Sequence, residues 1–438
     1  MRTRRVAVMT TLLAVVVGAT AAAGPSAGAV APSGAPAGSG RLPSAKVPLP
    51  PGTLTVSPTA QTPDRKPAGT NDADDAAFWI HPTDPSKSLI LGTVKEAGLD
   101  VYRPDGTLVQ TVATGGRYNN VDLVHGVTLG PGPARDLAVV TDRKTDKLHI
   151  FAINGAVNPP VTEVTGTGVP LLFGAAKPIR SKTAYGVAAW RNPAGAVEVF
   201  ATQENTVNLA RFTLTDAGGG KVSYHRTASY SFPTSFTVGG STWTPCFNPS
   251  HPDWQAHAEG MVVDPATGTL WADQELVGLW RLTTELTSPQ LVHKLKRFGQ
   301  TYSVSNGRCS INASSASYGD SYLPGDLEGI GLYRAGTSAN GYLVVSNQSA
   351  SVFTVFDRDG GSYRGAFKVG SAGAIDAVDQ TDGVVVTNLP LGPGFPSGML
   401  ITQDGKDTPE GGTNFKFTPW ATVAQALGLT IDASGGRP

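Results

Sequence analysis

The chain has 438 residues, with 34 Lys+Arg against 34 Asp+Glu and a 40% hydrophobic share. Balanced charge with no basic excess argues against nucleic acid as a partner, while this length and apolar content can bury a large core. The 53 Gly and 33 Pro suit many turns between short strands, so an all-β fold is the first expectation.

Arg2, Arg4 and Arg5 precede an uncharged run from Val6 to Val17 and then Ala19-Thr20-Ala21-Ala22-Ala23, the layout of a secretory signal. The apolar part is about a dozen residues, too short to span a bilayer comfortably. The sequence therefore predicts a signal peptide over residues 1–31, a Pro/Ala/Gly-rich leader over 32–60 and one folded domain over 61–432. A secreted location follows, without stable membrane insertion. Cys246 and Cys309 suit one disulfide in an exported protein, with two buried thiols as the alternative. Neither a CxxC pair nor an HExxH motif occurs, which argues against redox and zinc chemistry.

Beyond the leader, one unit recurs. A polar residue, often followed by Gly, opens a short apolar run; after a turn, a second apolar run ends in polar residues; a third strand follows. Glu259-Gly260-Met261-Val262-Val263, Leu270 to Glu275 and Leu279 to Leu282 form one such unit. Others open at Asp75, Asp122, Tyr185-Gly186, Glu328-Gly329 and Asp382-Gly383. Second strands begin near residues 89, 137, 197, 270, 342 and 399. Asp105-Gly106, Asn154-Gly155 and Asp359-Gly360 supply tight hairpin turns. Only Trp420 to Leu429 has the period of a short amphipathic helix. Six units of three or four antiparallel strands predict a six-bladed β-propeller, with a multidomain β-sandwich as the alternative. The two long insertions, Phe232 to Gln255 and Gly299 to Pro324, each carry one cysteine, so a disulfide between them is the economical reading.

In such a blade the start of the first strand and the end of the second share one rim near the axis. First-strand starts bring Asp74, Asp75, Asn119, Asn120, Asp122, Tyr185, Glu259, Asp326, Glu328 and Asp382 there. Second-strand ends bring Lys95, Glu96, Asp142, Arg143, Gln203, Glu204, Asp273, Gln274, Glu275, Asn347, Gln348 and Asp404. So many converging carboxylates need counter-charge, and oxygen ligands in this number suit a hard cation, Ca²⁺ before Mg²⁺. Asp142, Asp273 and Asn347 are expected to cap turns instead. Lys95 and Arg143, from neighbouring units, would stand side by side, which suits a phosphate-bearing polyanion. Without a G-x-S-x-G elbow or a Walker loop, serine-nucleophile and nucleotide-binding readings fall away.

The stretches Asp74-Asp75-Ala76-Ala77-Phe78-Trp79-Ile80-His81-Pro82, Asn119-Asn120-Val121-Asp122, Glu259-Gly260-Met261, Asp326-Leu327-Glu328-Gly329, Thr381-Asp382-Gly383 and Gln403-Asp404-Gly405 resemble, in order, the β-propeller phytases. The resemblance runs from about Asn71 to Leu427. It implies a secreted, calcium-dependent phosphoric monoester hydrolase. That enzyme would cut phosphate from myo-inositol hexakisphosphate (phytate), taken as its calcium complex, by attack of a calcium-bound water. Carried over by motif, Asp75, Glu259, Asp326, Glu328, Gln348, Asp376 and Asp382 resemble calcium ligands around the active site. Lys95, Arg143 and Tyr185 resemble phosphate-contacting residues, and Glu275 the acid of the cleavage site. Asn119, Asn120, Asp404 and Asp407 are assigned to peripheral calcium sites. The resemblance further implies several Ca²⁺ ions and a monomer. The alternatives are a calcium-dependent phosphoesterase on simpler esters and a non-enzymatic, metal-stabilised binding propeller. One departure stands out: Thr202-Gln203-Glu204-Asn205-Thr206 lacks the lysine common in the family, and Glu96 rather than Lys follows Lys95. Both changes make the pocket less basic and should weaken anchoring of a polyphosphate.

Overall fold

The computed structural model describes residues 47–66, 72–113, 115–174, 181–336 and 339–434. The expected signal peptide and the leader up to residue 46 lie outside the described residues.

Alternation of apolar and polar residues, punctuated by turn chemistry, produces six sheets built on antiparallel strands, five of four strands and one of five. Their innermost strands are Ala73–Trp79, Tyr118–Val127, Ala184–Arg191, Ala258–Asp264, Leu327–Arg334 and Val384–Thr387. Each touches the next, and the sixth touches the first, so the sheets close into a six-bladed β-propeller. Apolar side chains fill the six wedges between neighbouring blades. Leu91, Val121 and Phe151 pack between the first two, for example, and Ile90, Phe415 and Phe417 between the last and the first.

Closure uses residues from the N-terminal side. Ala60–Gln61 pairs antiparallel with Asn414–Pro419 as the outer strand of the sixth blade. Leu54–Val56 runs parallel to Tyr363–Val369 as a fifth strand on the fifth blade. Leu54–Val56 and Ala60 lie in the segment expected as leader, and Gln61 opens the expected domain. The one α-helix among the described residues, Trp420–Leu427, buries Trp420, Val423 and Ala424 against Tyr333, Phe353 and Phe367 and ends at Gly428 in the left-handed region (φ 66°).

The two insertions fold as small hairpins, Phe236–Val238 with Ser241–Trp243 and Tyr302–Ser305 with Arg308–Ile311. A Cys246–Cys309 disulfide joins them, closing a sequence separation of 63 residues.

Five innermost strands begin earlier than the residue expected to open them, the second at Tyr118 rather than Asp122, while the sixth begins at Val384, after Asp382. The cause is a repeated irregularity. In five blades the register to the second strand skips two residues: Asp74-Asp75, Asn119-Asn120, Tyr185-Gly186, Glu259-Gly260 and Glu328-Gly329. Bulges of this kind re-aim side chains and recur beside active sites. Second-strand hydroxyls satisfy the freed backbone: Thr93 Oγ1 accepts from Asp75 N at 3.0 Å and donates to the Asn119 carbonyl of the next blade. Thr141 repeats this with Asn120 N and the Tyr185 carbonyl. Where adjacent strands come closest only glycine fits: a Cβ on Gly186 would lie 1.9 Å from the Glu259 carbonyl oxygen.

Candidate active site

The bulges deliver polar side chains to one end of the axis, where they are buried. Glu259, Glu275 and Glu328 are 4%, 2% and 2% exposed, and each offers a carboxylate oxygen within 4.8 Å of the others'. Burial, and the mutual repulsion of neighbouring acids, holds the Glu328 carboxyl well above the usual carboxylate range and raises Glu259. Burial likewise pushes Asp326 up to about 7 and Asp75 up to about 8, with Glu275 adding to the first and Asp74 to the second. Glu328 Oε1, Asp326 Oδ1 and Asp74 Oδ2 are buried without a hydrogen-bond partner. Orphaned carboxylate oxygens in this number fit a multivalent cation bound by oxygen, as the chemistry of the donor set requires.

Two cations border the acids. Lys95 Nζ lies 3.2 Å from Asp74 Oδ1 and 3.9 Å from Asp382 Oδ2. Burial opposes the charge on Lys95, but those two carboxylates outweigh it and keep the ammonium protonated. Arg143 donates to Asn119 Oδ1 at 3.0 Å, pairs with Glu204 and lies over the Tyr185 ring at 5.0 Å. Burial beside Glu259, Glu275 and Glu328 holds the Tyr185 phenol far above its ordinary value, so it stays a neutral donor.

Gln348, at the turn after the second strand of the fifth blade, donates to Asp382. Asn120 Nδ2 and Val121 N donate to Asp75 Oδ2 at 3.2 and 3.1 Å. Asn119 and Asn120, expected at peripheral sites, sit inside the axial network: Asn119 Nδ2 donates to Glu259 Oε1 at 2.8 Å and to Asn120 Oδ1 at 2.5 Å. Asp142 Oδ1 accepts from Arg117 N and Lys144 N at the local turn, as expected, whereas Asn347 donates to Val345 O and Thr354 Oγ1 without capping a turn, and Asp273 Oδ1 accepts from Gly260 N of the axial bulge at 2.9 Å.

Asp376 groups elsewhere. With Asp404 and Asp407 it surrounds the ammonium of Lys416, a fully buried side chain; Nζ lies 2.8 Å from Asp404 Oδ2 and 3.0 Å from Asp407 Oδ1. Thr408 N and Oγ1 also donate to Asp376 Oδ2, at 2.8 and 2.7 Å. This second acidic cluster thus already holds a cation supplied by the chain. Sequence reasoning missed Lys416, the pairing of Glu204 with Arg143, and His257, whose Nε2 lies 2.6 Å from Glu275 Oε1. Behind the rim the axis encloses a cavity of about 410 Å³ walled by residues such as Val187, Met261, Ile330 and Val384. Its lining also includes His125, Arg191 and Arg334, so the walls mix apolar and polar groups.

The phytase family profile matches residues 43–235 and 253–435, so the chain belongs to the phytase family and is a phosphoric monoester hydrolase. The gap between the two matched segments falls in the first cysteine-bearing insertion. A 3-phytase of Bacillus subtilis is 26% identical over 372 residues, covering 83% of this chain and 84% of that protein. Among solved structures, a gluconolactonase of Xanthomonas campestris is 12% identical with a TM-score of 0.39, covering 85% of this chain and 99% of that one. The β-propeller domain of Cps50 (Swd1) from Myceliophteria thermophila is 8% identical with a TM-score of 0.34, covering 79% and 83%. These structural likenesses are too loose to carry an argument about the site.

Proposed function

We propose that the protein is a secreted, calcium-dependent phytase that removes phosphate from myo-inositol hexakisphosphate. The observation that carries this reading is the buried Glu259–Glu275–Glu328 triad bordered by Lys95 and Arg143, in a chain of the phytase family. Glu259, Glu328, Asp326, Asp75 and Asp382, with Gln348, would hold the calcium ions. Bound there, calcium supplies charge neutralisation for phosphoryl oxygens and lowers the pKa of water.

The chain's own residues do the rest. Lys95 and Arg143 receive the phosphate oxygens, and Arg143 is oriented for this by Asn119, Glu204 and the Tyr185 face. Tyr185, locked as a neutral phenol, donates a hydrogen bond to the anion. Glu275 serves as the cleavage-site acid, poised beside the attacking oxygen. Asp376, Asp404 and Asp407 are left out of the calcium set, because Lys416 fills their centre.

The phosphate-release assay that tests this uses purified mature protein on phytate and on p-nitrophenyl phosphate, after EDTA and after Ca²⁺ is restored. Calcium-dependent release from phytate is expected. One observation favours a second reading, an esterase of simpler phosphates: Glu204, where the family carries a cation nearby, pairs with Arg143 and reduces its free charge. Release from the simple ester alone would establish that reading and refute the first.

A further inference from the structure

We propose that His257 is a positioning residue for Glu275, and that the disulfide-anchored insertion holds it in place through Phe247. The proposal rests on the reading of Glu275 as the cleavage-site acid.

His257 is 1% exposed and immediately precedes the innermost strand of the fourth blade. The Glu275 N–H donates to the His257 carbonyl at 2.9 Å, which makes the two a cross-strand pair at the reactive rim. Their side chains meet at 2.6 Å, Nε2 to Oε1; neither atom has another hydrogen-bond partner, although the contact is not aligned as an ideal hydrogen bond. On the other side of the ring, Asn205 N donates to Nδ1 at 3.1 Å. A nitrogen that accepts carries no proton, so Nε2 is the donor and faces Glu275. Two aromatic rings clamp the imidazole edge-to-face: Tyr185 at 4.7 Å and 88°, and Phe247 at 5.0 Å and 86°.

These clamps connect parts of the chain with no other shared role. Phe247 follows Cys246, whose disulfide partner Cys309 lies in the second insertion. Asn205, in the left-handed region at φ 55°, follows Glu204, which holds Arg143. The loop that lacks the family lysine therefore orients both Arg143 and, through His257, Glu275. Glu275 is crowded by Glu259 and Glu328, whose repulsion would turn its carboxylate aside. A donor fixed on one oxygen sets which oxygen faces the reacting phosphate, the role outer partners play around metal and acid groups. The Nδ1 acceptor role excludes His257 as a proton shuttle.

The test compares His257→Ala, His257→Gln and Phe247→Ala in the wild-type and Glu275→Gln backgrounds, with saturating Ca²⁺ and phytate. Removing an outer partner should lower kcat roughly 10- to 100-fold with KM little changed. His257→Gln, which keeps an N–H donor, should recover most of that loss, and Phe247→Ala should reproduce part of it. In the Glu275→Gln background His257→Ala should cost nothing further, because its effect runs through the absent carboxylate. Additive losses in the two backgrounds, a loss confined to KM, or equal losses for Gln and Ala would overturn the proposal. An unaffected Phe247→Ala would overturn the part assigned to the insertion. A second readout needs no turnover: nitrogen-15 NMR of the histidine side chains in the metal-free protein, with the His257 signals assigned from the variants. A proton on Nε2 with bare Nδ1, perturbed by Glu275→Gln, is expected; a proton on Nδ1, or signals indifferent to Glu275→Gln, would refute the pairing. Wild-type protein that releases no phosphate refutes the phytase reading, while the NMR arm still decides the pairing.

Discussion

Stripped of metal ions, this protein should lose stability as pH rises, the reverse of ordinary acid denaturation. Burial, then the approach of Asp74 and Asp122, raises Asp75 from 3.8 to about 8, against the backbone donors Val121 N and Ala76 N. Burial, then Glu275, raises Asp326 from 3.8 to about 7. Unfolded, each group sheds its proton near 3.8; folded, each keeps it until its raised value. The folded state therefore holds more protons between those values, and stability falls as pH climbs through the window. From pH 5 upward, about three units for Asp75 and two for Asp326, at roughly 1.4 kcal/mol per unit, come to about 7 kcal/mol. That is comparable to the whole stability of a typical fold, about 5–15 kcal/mol. With an unfolding entropy near 2 cal/mol/K per residue it amounts to a fall in Tm of roughly 10 °C. Calcium bound to these carboxylates holds them ionised, so the gain in Tm from calcium should be largest near pH 8 and smallest near pH 5. Scanning calorimetry after EDTA dialysis, at several values from pH 5 to 8 with and without excess Ca²⁺, reads this directly. A metal-free Tm that is constant or rises with pH would refute the reasoning.

Glu275→Gln should reduce phosphate release to a small residual rate while leaving the calcium-bound Tm nearly unchanged; a large drop in Tm would make Glu275 a structural ligand. Lys95→Ala, which removes the ammonium beside Asp74 and Asp382, should raise the KM for phytate at least tenfold, as initial-rate kinetics would show. Lys416→Met leaves Asp376, Asp404 and Asp407 buried together without their cation; denaturant melts should show a loss of about 3–5 kcal/mol, whereas a neutral outcome would mean the cluster is protonated or solvated. Replacing Cys246 and Cys309 with Ser should cost about 4 kcal/mol for a loop of 63 residues in the same melts.

The six blades are legible in the sequence because their signals are local. Second strands open at Leu89, Val197 and Met399, where the apolar runs begin after turn residues. The first strands are less legible, since the bulges insert polar pairs such as Asn119-Asn120 that interrupt the apolar pattern well inside the strand. Closure by Ala60–Gln61 has no local signature: its partner lies some 350 residues away, and Pro and Gly around it read as leader. At the site, the convergence of Asp75, Glu259, Glu275, Glu328, Lys95 and Arg143 follows from blade geometry alone. Lys416 was illegible because a lysine in an alternating strand reads as solvent-facing, and only the carboxylates of Asp376, Asp404 and Asp407 packed around it reveal it as buried. His257 was one isolated imidazole among scattered histidines, and its meaning depends on Asn205 and Phe247, which come from other parts of the chain.

The central claim, that the axial carboxylates hold calcium, is tested most directly by crystals grown with Ca²⁺ and read for anomalous scattering. Calcium ions are expected among Glu259, Glu328, Asp326, Asp75 and Asp382, and only the Lys416 ammonium among Asp376, Asp404 and Asp407. Crystals with calcium at Asp376, Asp404 and Asp407 and none at the axial glutamates, from protein that still cleaves phytate, would contradict it.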